Sequence, residues 1–167
     1  PRSNALHILD ISKNNTIAVP LSLRSGLAGP VAGAQNVIYY DNAAGSLNAY
    51  EIATKKTQQN RYRGSRLIAG PILAGDALYY VGDKERDAYY AYSLPVGPGM
   101  KRPQTVRLGA DAPRPAISVA SNLLILPSYG GAIQLIALAG FQPLAPLATP
   151  DGSDVEQIGR ASCRERG

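Results

Sequence analysis

The sequence is poor in the residue types that build most catalytic and metal centres. Its 167 residues include no Trp, one His and one Cys, which is Cys163. Because a disulfide joins two cysteines, none can form within the chain, and a zinc site built on several cysteines is excluded for the same reason. Proteins without disulfides occur in the cytosol and in the periplasm, so this absence decides neither compartment.

Hydrophobic runs long enough to cross a bilayer are also missing. A membrane-spanning helix needs about 18 or more consecutive apolar residues, whereas apolar stretches such as 123–126 and 133–138 are far shorter. Pro127, Gly130 and Gly131 separate these two stretches. We interpret both stretches as strands and expect no transmembrane segment.

The C-terminal end differs from the rest of the chain. Residues 158–166 resemble the translation of a sequencing adapter in one reading frame, so we treat 158–167 as a non-native tail; a basic natural tail is the alternative. The tail holds Cys163 and three arginines against one glutamate, and without it the net charge falls from +5 to +3. A basic chain can bind nucleic acid or an anionic membrane. Because much of the excess charge lies in the tail, we expect no nucleic-acid partner.

A repeat of about 41 residues organises the remaining sequence. Three short motifs occur twice at nearly constant spacing: Ala28-Gly-Pro-Val31 and Ala69-Gly-Pro-Ile72, Val37-Ile-Tyr-Tyr40 and Ala77-Leu-Tyr-Tyr80, and Ala49-Tyr50 and Ala91-Tyr92. A looser copy lies between Arg114 and Leu135, and an incomplete copy opens the chain at Leu6–Asp10. Such regular spacing is typical of a fold built from stacked copies of one small unit.

Each unit divides into short runs rich in Val, Ile and Tyr, with Gly, Asn, Asp and Pro between them. This composition predicts β-strands joined by turns. The predicted strands are 28–32, 36–41, 46–52 and 58–63 in the first unit, 69–74, 77–82, 88–93 and 104–108 in the second, and 115–120, 122–127, 132–138 and 143–147 in the third. Helical repeats are excluded because no unit places apolar residues at helical spacing over a dozen positions.

Four strands with tight turns account for about 40 residues, the length of one β-propeller blade. We therefore predict an all-β fold, a β-propeller fragment with about three four-stranded antiparallel blades plus part of another in an open arc; a β-sandwich is the alternative. The expected divisions are 1–25 as the end of a preceding blade, 26–66, 67–109 and 110–148 as blades, 149–157 as the start of the next blade or a linker, and 158–167 as the tail.

Two further features of the fold follow from this prediction. The tyrosine pairs at 39–40 and 79–80 place large rings on both faces of the second strand, as expected for a sheet buried between two neighbours. An open arc leaves an apolar blade face bare at each end, so we expect the isolated chain to self-associate.

The order of the motifs resembles the repeat of the pyrroloquinoline-quinone-like β-propellers, over about residues 4–148. The resemblance lies in these segments: Gly29-Pro30, Val37–Asp41, Gly45-Ser-Leu47, Ala49-Tyr-Glu51, Gly70-Pro71, Leu78–Val81, Ala91-Tyr-Ser93 and Gly131-Ala-Ile133. Blades of that family commonly end in a Thr-Gly…Trp feature. This chain departs from the pattern because it has no Trp.

The resemblance implies two possible functions. We predict a non-catalytic bacterial scaffold, periplasmic or at the cell surface, that rigidly binds a protein or another ligand without a cofactor. Its partner is then another protein or the missing blades. The alternative is a fragment of a dehydrogenase that uses pyrroloquinoline quinone and calcium, with its active-site residues in the missing blades. No catalytic, cofactor-binding or metal-binding residue is assigned, because no such constellation is recognisable here.

Several polar residues are candidates for a functional role. Asp41 and Asp83 occupy equivalent hairpin positions; Ca²⁺ takes six to eight oxygens, so we interpret them as turn residues bonding their own backbone rather than as ligands. The charged run Asp83–Asp87 is either a solvated loop tip or a protein-contact loop. His7, inside a strand-like run, is interpreted as a packed or edge residue rather than a general base.

Two other segments have weak functional patterns. Arg61-Tyr-Arg63 and Arg66 combine basic and aromatic side chains. Such a pattern can contact nucleic acid, but we interpret it as keeping an exposed sheet edge soluble. Gly97-Pro-Gly99 lacks the third glycine of a phosphate-binding loop, so it is interpreted as a flexible turn.

Overall fold

The computed structural model describes residues 5–10, 15–16, 21–22, 31–34, 37–42, 46–60, 66–85, 88–96, 102–109 and 111–148. Every regular element in these ranges is a β-strand, as the sequence predicts. No helix in the described ranges could span a membrane. The predictions for 61–65, for Gly97-Pro-Gly99 and for residues 149–167 lie outside the described residues.

The N-terminal strands form two short antiparallel pairs, which we call the N-terminal strand pairs. Their members are β1 (Ala5–Leu6), β2 (Leu9–Asp10), β3 (Asn15–Thr16) and β4 (Leu21–Ser22). Strand β1 pairs with β4, and β2 pairs with β3. This is the part of the chain that the sequence assigns to the end of a preceding blade.

Two four-stranded antiparallel sheets follow, each with its strands in chain order. Sheet 1 contains β5 (Ala32–Ala34), β6 (Val37–Asn42), β7 (Ser46–Glu51) and β8 (Lys56–Asn60). Sheet 2 contains β9 (Arg66–Ala74), β10 (Ala77–Glu85), β11 (Ala88–Pro95) and β12 (Gln104–Arg107). All eight strands overlap the strands predicted for the first two repeat units.

Sheet 3 has the same order but a divided outer strand. It contains β13 (Ser118–Ala120), β14 (Leu123–Pro127), β15 (Ala132–Ala137), β16 (Gln142–Pro143) and β17 (Leu147–Ala148). Both β16 and β17 pair with β15. The single outer strand predicted at 143–147 is therefore interrupted, because Pro146 has no N–H to donate to a ladder.

Neighbouring sheets pack face to face, and the tyrosine pairs show this packing directly. Tyr40 lies in a core with Ile8 of the N-terminal segment, and Tyr39 lies in the core shared by sheets 1 and 2. In sheet 2, Tyr80 faces sheet 1 and Tyr79 faces sheet 3. All four rings are buried, so the prediction that these rings occupy both faces of the second strand is confirmed.

The face of sheet 3 that is turned away from sheet 2 is only partly buried. Leu124 and Ile136 of sheet 3 are buried against sheet 2, whereas Ile125 and Leu135, which pair across the opposite face, are only half buried. On that open face Leu147 lies opposite Ile133 and is 56% exposed. A bare apolar face at this end is what an open arc predicts, and self-association through it stays a prediction.

The conformation and surroundings of Gly70 explain why the Ala-Gly-Pro motif contains a glycine. Its φ is +91°, and a Cβ built there would lie 2.9 Å from the carbonyl oxygen of Tyr79. The strand register shifts at this point between β9 and β10, as in a β-bulge. The small residue is therefore required by close approach to the second strand of its own sheet.

Candidate interaction surface

The structure places the candidate polar residues mostly within strands. Asp41 belongs to β6 opposite Leu47, and Asp83 belongs to β10 opposite Tyr89. The two aspartates occupy matching sites as predicted, but both strands continue past them, so their assignment to hairpin loops was wrong. The strands are longer because the cross-strand pairing extends to Asn42 and Glu85.

The remaining candidates do not converge on a site. His7 is exposed between β1 and β2, and Arg66 pairs through its backbone with Asp83. Of the charged run Asp83–Asp87, the described part, 83–85, belongs to β10. Among the described residues, no group of three His, Cys, Asp or Glu side chains could hold a metal ion.

A better-defined site lies where sheet 2 meets sheet 3. The chain leaves β12 and reaches β13 through the linker 108–117, and that linker is bonded to the turn after β14. The N–H of Arg114 donates to the Pro127 carbonyl at 2.8 Å, and the N–H of Tyr129 donates to the Ala112 carbonyl at 2.9 Å. The pairing fixes the linker and the turn to each other.

Ser128 at the centre of this turn is fully buried. Its hydroxyl donates to the Ala132 carbonyl at 2.8 Å, and its backbone N–H donates to the same oxygen at 2.9 Å. The next residue, Tyr129, is 63% exposed. The hydrogen bonds of the buried Ser128 thus fix the turn while the adjacent aromatic ring lies in solvent.

Arg114 covers one face of that ring. Its guanidinium carbon lies 5.0 Å from the Tyr129 ring centroid, within the range of a cation–π contact. Its Nε–H also donates to the Ser128 carbonyl at 3.4 Å. Tyr129 is exposed and Arg114 is half buried, and both residue types are enriched at protein interfaces.

Beside the turn is a cavity of about 190 Å³, which we call the junction cleft. It is lined by Arg107, Leu108, Gly109, Asp111, Ala132, Gln134, Leu135, Ile136, Pro143, Leu144 and Pro146. Leu108 and Ile136 are buried, whereas Leu144 is 45% exposed. The N–H of Gly109 donates to the Gln134 side-chain oxygen at 2.9 Å and so joins the two sheets across the cleft.

The charges around the junction cleft are few. Arg107 is exposed, and the acidic residue in the lining is Asp111. The Asp111 carboxylate lies against Gly130, because a Cβ built on Gly130 would come within 2.6 Å of its Oδ2. Arg102 and Arg114 are the other charged residues between 102 and 150. The lining of the cleft therefore carries one positive and one negative side chain.

Sequence reasoning did not single out the junction cleft. One signal that could have indicated it is the stretch 115–150, which contains no charged residue. A solvent-exposed sheet edge is ordinarily protected by charged side chains, and β8 of sheet 1 begins with Lys56 and is otherwise polar. The outer edge of sheet 3 instead exposes Leu144, between β16 and β17, and Leu147 of β17.

No protein-family model and no curated protein matches the sequence. Solved structures do match its fold. BamB from Moraxella catarrhalis is 20% identical with a TM-score of 0.64, and the match covers 89% of this chain and 45% of that one. The computationally designed Ika8 protein is 15% identical with a TM-score of 0.65, covering 87% of this chain and 44% of that one.

The WD40 domain of SCAP from fission yeast is 15% identical with a TM-score of 0.60, covering 87% of this chain and 40% of that one. The chain thus spans less than half the length of each of these structures. At such identities the likeness establishes the fold alone. WD40 domains are β-propellers of four-stranded blades, and the chain, with its face-packed four-stranded sheets, has the β-propeller fold.

Proposed function

We propose that the chain belongs to a non-catalytic β-propeller that acts as a rigid scaffold for binding another protein. The observation that carries the proposal is the junction cleft, a cavity of about 190 Å³ with a buried apolar floor and an exposed apolar rim. Because the linker and the turn beside it are hydrogen bonded to each other, a partner binds without the entropic cost of ordering them.

The size of the cleft supports a protein ligand over a cofactor. Pockets for small molecules and cofactors measure roughly 300–1,000 Å³, which exceeds the 190 Å³ found here. A cavity of about 150 Å³ is enough for a benzene ring. The junction cleft therefore suits one large side chain of a partner protein.

A periplasmic or cell-surface location is part of the proposal. It is supported by the resemblance of the repeat motifs to the pyrroloquinoline-quinone-like propellers, whose non-catalytic members include extracytoplasmic scaffolds. The fold is compatible with that location but does not determine it.

The proposal can be tested by selecting binders from a random peptide library displayed on phage. The full chain is the bait, and Leu144→Ser is the counter-bait, because this change removes an exposed apolar side chain from the cleft rim. Val31→Ser is the matched control, since Val31 is 41% exposed just before β5 and is not among the residues that line the cleft.

We expect enriched peptides to bind the unaltered chain and Val31→Ser equally, and Leu144→Ser about tenfold more weakly, a difference of about 1.4 kcal/mol. Circular dichroism of each variant checks that its strand content is retained. Failure to enrich any peptide, or equal binding to all three proteins, contradicts the proposal.

A further inference from the structure

We propose that two copies of this chain close into one propeller, in which sheet 3 of each copy packs against the N-terminal strand pairs of the other. The surface that binds is the face of sheet 3 turned away from sheet 2, which we call the open face. Closure is independent of the proposed scaffold function, since it concerns how the fold is completed rather than what the junction cleft binds.

The open face is mainly apolar and carries no charge. Ile125 of β14 pairs with Leu135 of β15, and both are half buried. Leu147 of β17 lies opposite Ile133 and is 56% exposed, and residues 115–150 include no charged side chain. The terminal unit of a repeat array ordinarily has a polar outer face. Sheet 3 therefore does not have the surface of a terminal unit.

The open face corresponds to surfaces that are covered elsewhere in the chain. The motifs that end in Tyr40, Tyr80 and Leu126 place Ile125 where sheet 1 has Tyr39 and sheet 2 has Tyr79. Those two rings are only 2% and 6% exposed, because each packs against the next sheet. Continuation of the same packing puts another sheet of this kind on Ile125.

The N-terminal strand pairs present the opposite surface. The incomplete repeat copy at Leu6–Asp10 aligns His7 with Asn48 of β7. Asn48 pairs with Tyr40 on the face toward the N-terminal segment and is 4% exposed. His7 is exposed, whereas its neighbour Ile8 is buried against sheet 1. Because side chains alternate along an extended chain, His7 lies on the side turned away from sheet 1, where a preceding sheet would pack.

The number of sheets selects a second copy as the partner. Within the described ranges, the N-terminal strand pairs and sheets 1 to 3 occupy four successive positions. Sheet 3 shares a core only with sheet 2 among the described residues, so one copy does not close on itself. Propellers typically have four to eight blades. Two copies supply eight sheets, whereas three would supply twelve and exceed this range.

The curvature and the length of the chain agree with closure by two copies. The matches to BamB and Ika8 have TM-scores of 0.64 and 0.65 over 89% and 87% of this chain, so its sheets are arranged as in those structures. The same matches cover 45% and 44% of the other chains, so two copies reach most of that length. A head-to-tail contact gives a closed assembly when the rotation closes and an open filament when it does not.

Native mass spectrometry and light scattering of the full chain, over a range of protein concentrations, test the proposal. We expect a monomer of 17.6 kDa in dilute solution and a species of twice that mass at high concentration, with a Kd of about 10 µM. Below about 1 µM the monomer should dominate, with its open face bare. A ladder of larger species would show that the contact does not close, and a monomer at about 100 µM would show that the open face stays bare. Either result would overturn the proposal.

Three variants with the same added charge locate the contact. Ile125→Asp puts an unpaired carboxylate on the open face and should raise the Kd about 100-fold. His7→Asp should have a similar effect from the other end of the chain, because the two ends meet in the closed propeller. Val31→Asp changes an exposed apolar residue just before β5 and should leave the Kd within about twofold. Circular dichroism checks strand content, and Leu147→Asp, at a more exposed position of the open face, replaces Ile125→Asp if that variant does not fold.

The pattern of losses decides between modes of association. Loss of the dimer in Ile125→Asp but not in His7→Asp would mean that two open faces contact each other, and it would overturn closure through the N-terminal strand pairs. Equal weakening by all three variants would show that overall charge is responsible and would overturn the proposal as well. Peptide selection at the junction cleft is a separate measurement, so its failure and the failure of closure are distinguishable.

Discussion

Sheet 2 and sheet 3 share a strand order but differ in how their faces are covered. Sheet 2 lies between sheets 1 and 3, and its central strands contribute to the cores on both sides. Sheet 3 contributes to one core only among those formed by the described residues. The same repeat unit thus gives a fully enclosed sheet in one place and a half-covered sheet in the next.

The difference appears in the strands themselves. The first two strands of sheet 2 each have nine residues, whereas the first two of sheet 3 have three and five. Strand β14 alternates between half-buried and buried side chains, the pattern of a sheet with one solvated face. Stability in such a repeat comes from neighbouring units as much as from the unit itself, so sheet 3 should be the more easily unfolded end.

The largest effect is expected for a pair of adjacent residues in sheet 3. Leu124 is 0% exposed, at the core with sheet 2, and Leu124→Ala should lower the free energy of unfolding by about 4 kcal/mol. Ile125 points to the open face, and Ile125→Ala should lower it by about 1 kcal/mol. Urea denaturation followed by circular dichroism measures both. Equal losses would mean that the open face is covered in solution.

A smaller effect is expected for the glycine of the β9 bulge. Gly70→Ala forces a left-handed φ on alanine and a contact of 2.9 Å with the Tyr79 carbonyl oxygen, so we expect a loss of about 3 kcal/mol. Gly140 in sheet 3 also has a positive φ, +76°, but the nearest atom to its added Cβ is 3.8 Å away.

Gly140→Ala is the matched control. It should lower the free energy of unfolding by about 1 kcal/mol, because only the left-handed backbone conformation is unfavourable for alanine there. Thermal melts of the two variants under one buffer provide the comparison. A Gly140 variant as unstable as the Gly70 variant would contradict the view that sheet 2 is the more tightly packed of the two.

The smallest effect concerns the pH dependence of stability and involves Tyr40, on the face of sheet 1 that packs against the N-terminal segment. Burial raises the pKa of Tyr40 above its ordinary 10.0, the hydrogen bond with Thr57 opposes this, and the charge of Tyr50 adds to it. A raised pKa means that the folded chain holds the proton more tightly. Tyr40 therefore contributes stability that is present below pH 10 and is lost as pH rises through the folded-state pKa.

Tyr40→Phe should remove this part of the alkaline loss of stability. The free energy of unfolding is measured from roughly pH 8 to pH 11, with Tyr129→Phe as the same change at an exposed ring. If Tyr40→Phe and the unaltered chain lose stability at the same rate, the Tyr40 ring is hydrated and the N-terminal strand pairs do not cover sheet 1 as the structure shows.

Much of the fold could be predicted from local pattern. The recurrence of Tyr-Tyr about 40 residues apart predicts equivalent strands, and alternation then places Tyr39 and Tyr79 on one face and Tyr40 and Tyr80 on the other. The ends of the strands could not be predicted as well. Asp41 and Asp83 have typical turn composition, yet cross-strand pairing carries both strands past them, because tertiary pairing overrides weak local preferences.

The candidate site could not be predicted in the same way. The junction cleft joins Arg107 and Gly109 to Gln134 and Leu144, which are far apart in the chain. Repeat spacing indicates that sheets 2 and 3 are neighbours, but not that the Gln134 side chain bonds the Gly109 N–H between them. The uncharged stretch 115–150 indicates an unusual surface without locating a cavity.

The sequence by itself determined the repeating unit, its strands and the faces to which its large side chains point. These features depend on the two-residue period of a strand and on turn chemistry, both of which act between near neighbours along the chain. Only the tertiary structure decided which faces are covered, where the outer strand is interrupted and where a cavity remains. Those features arise from packing between sheets, where the shape left between two surfaces depends on both at once.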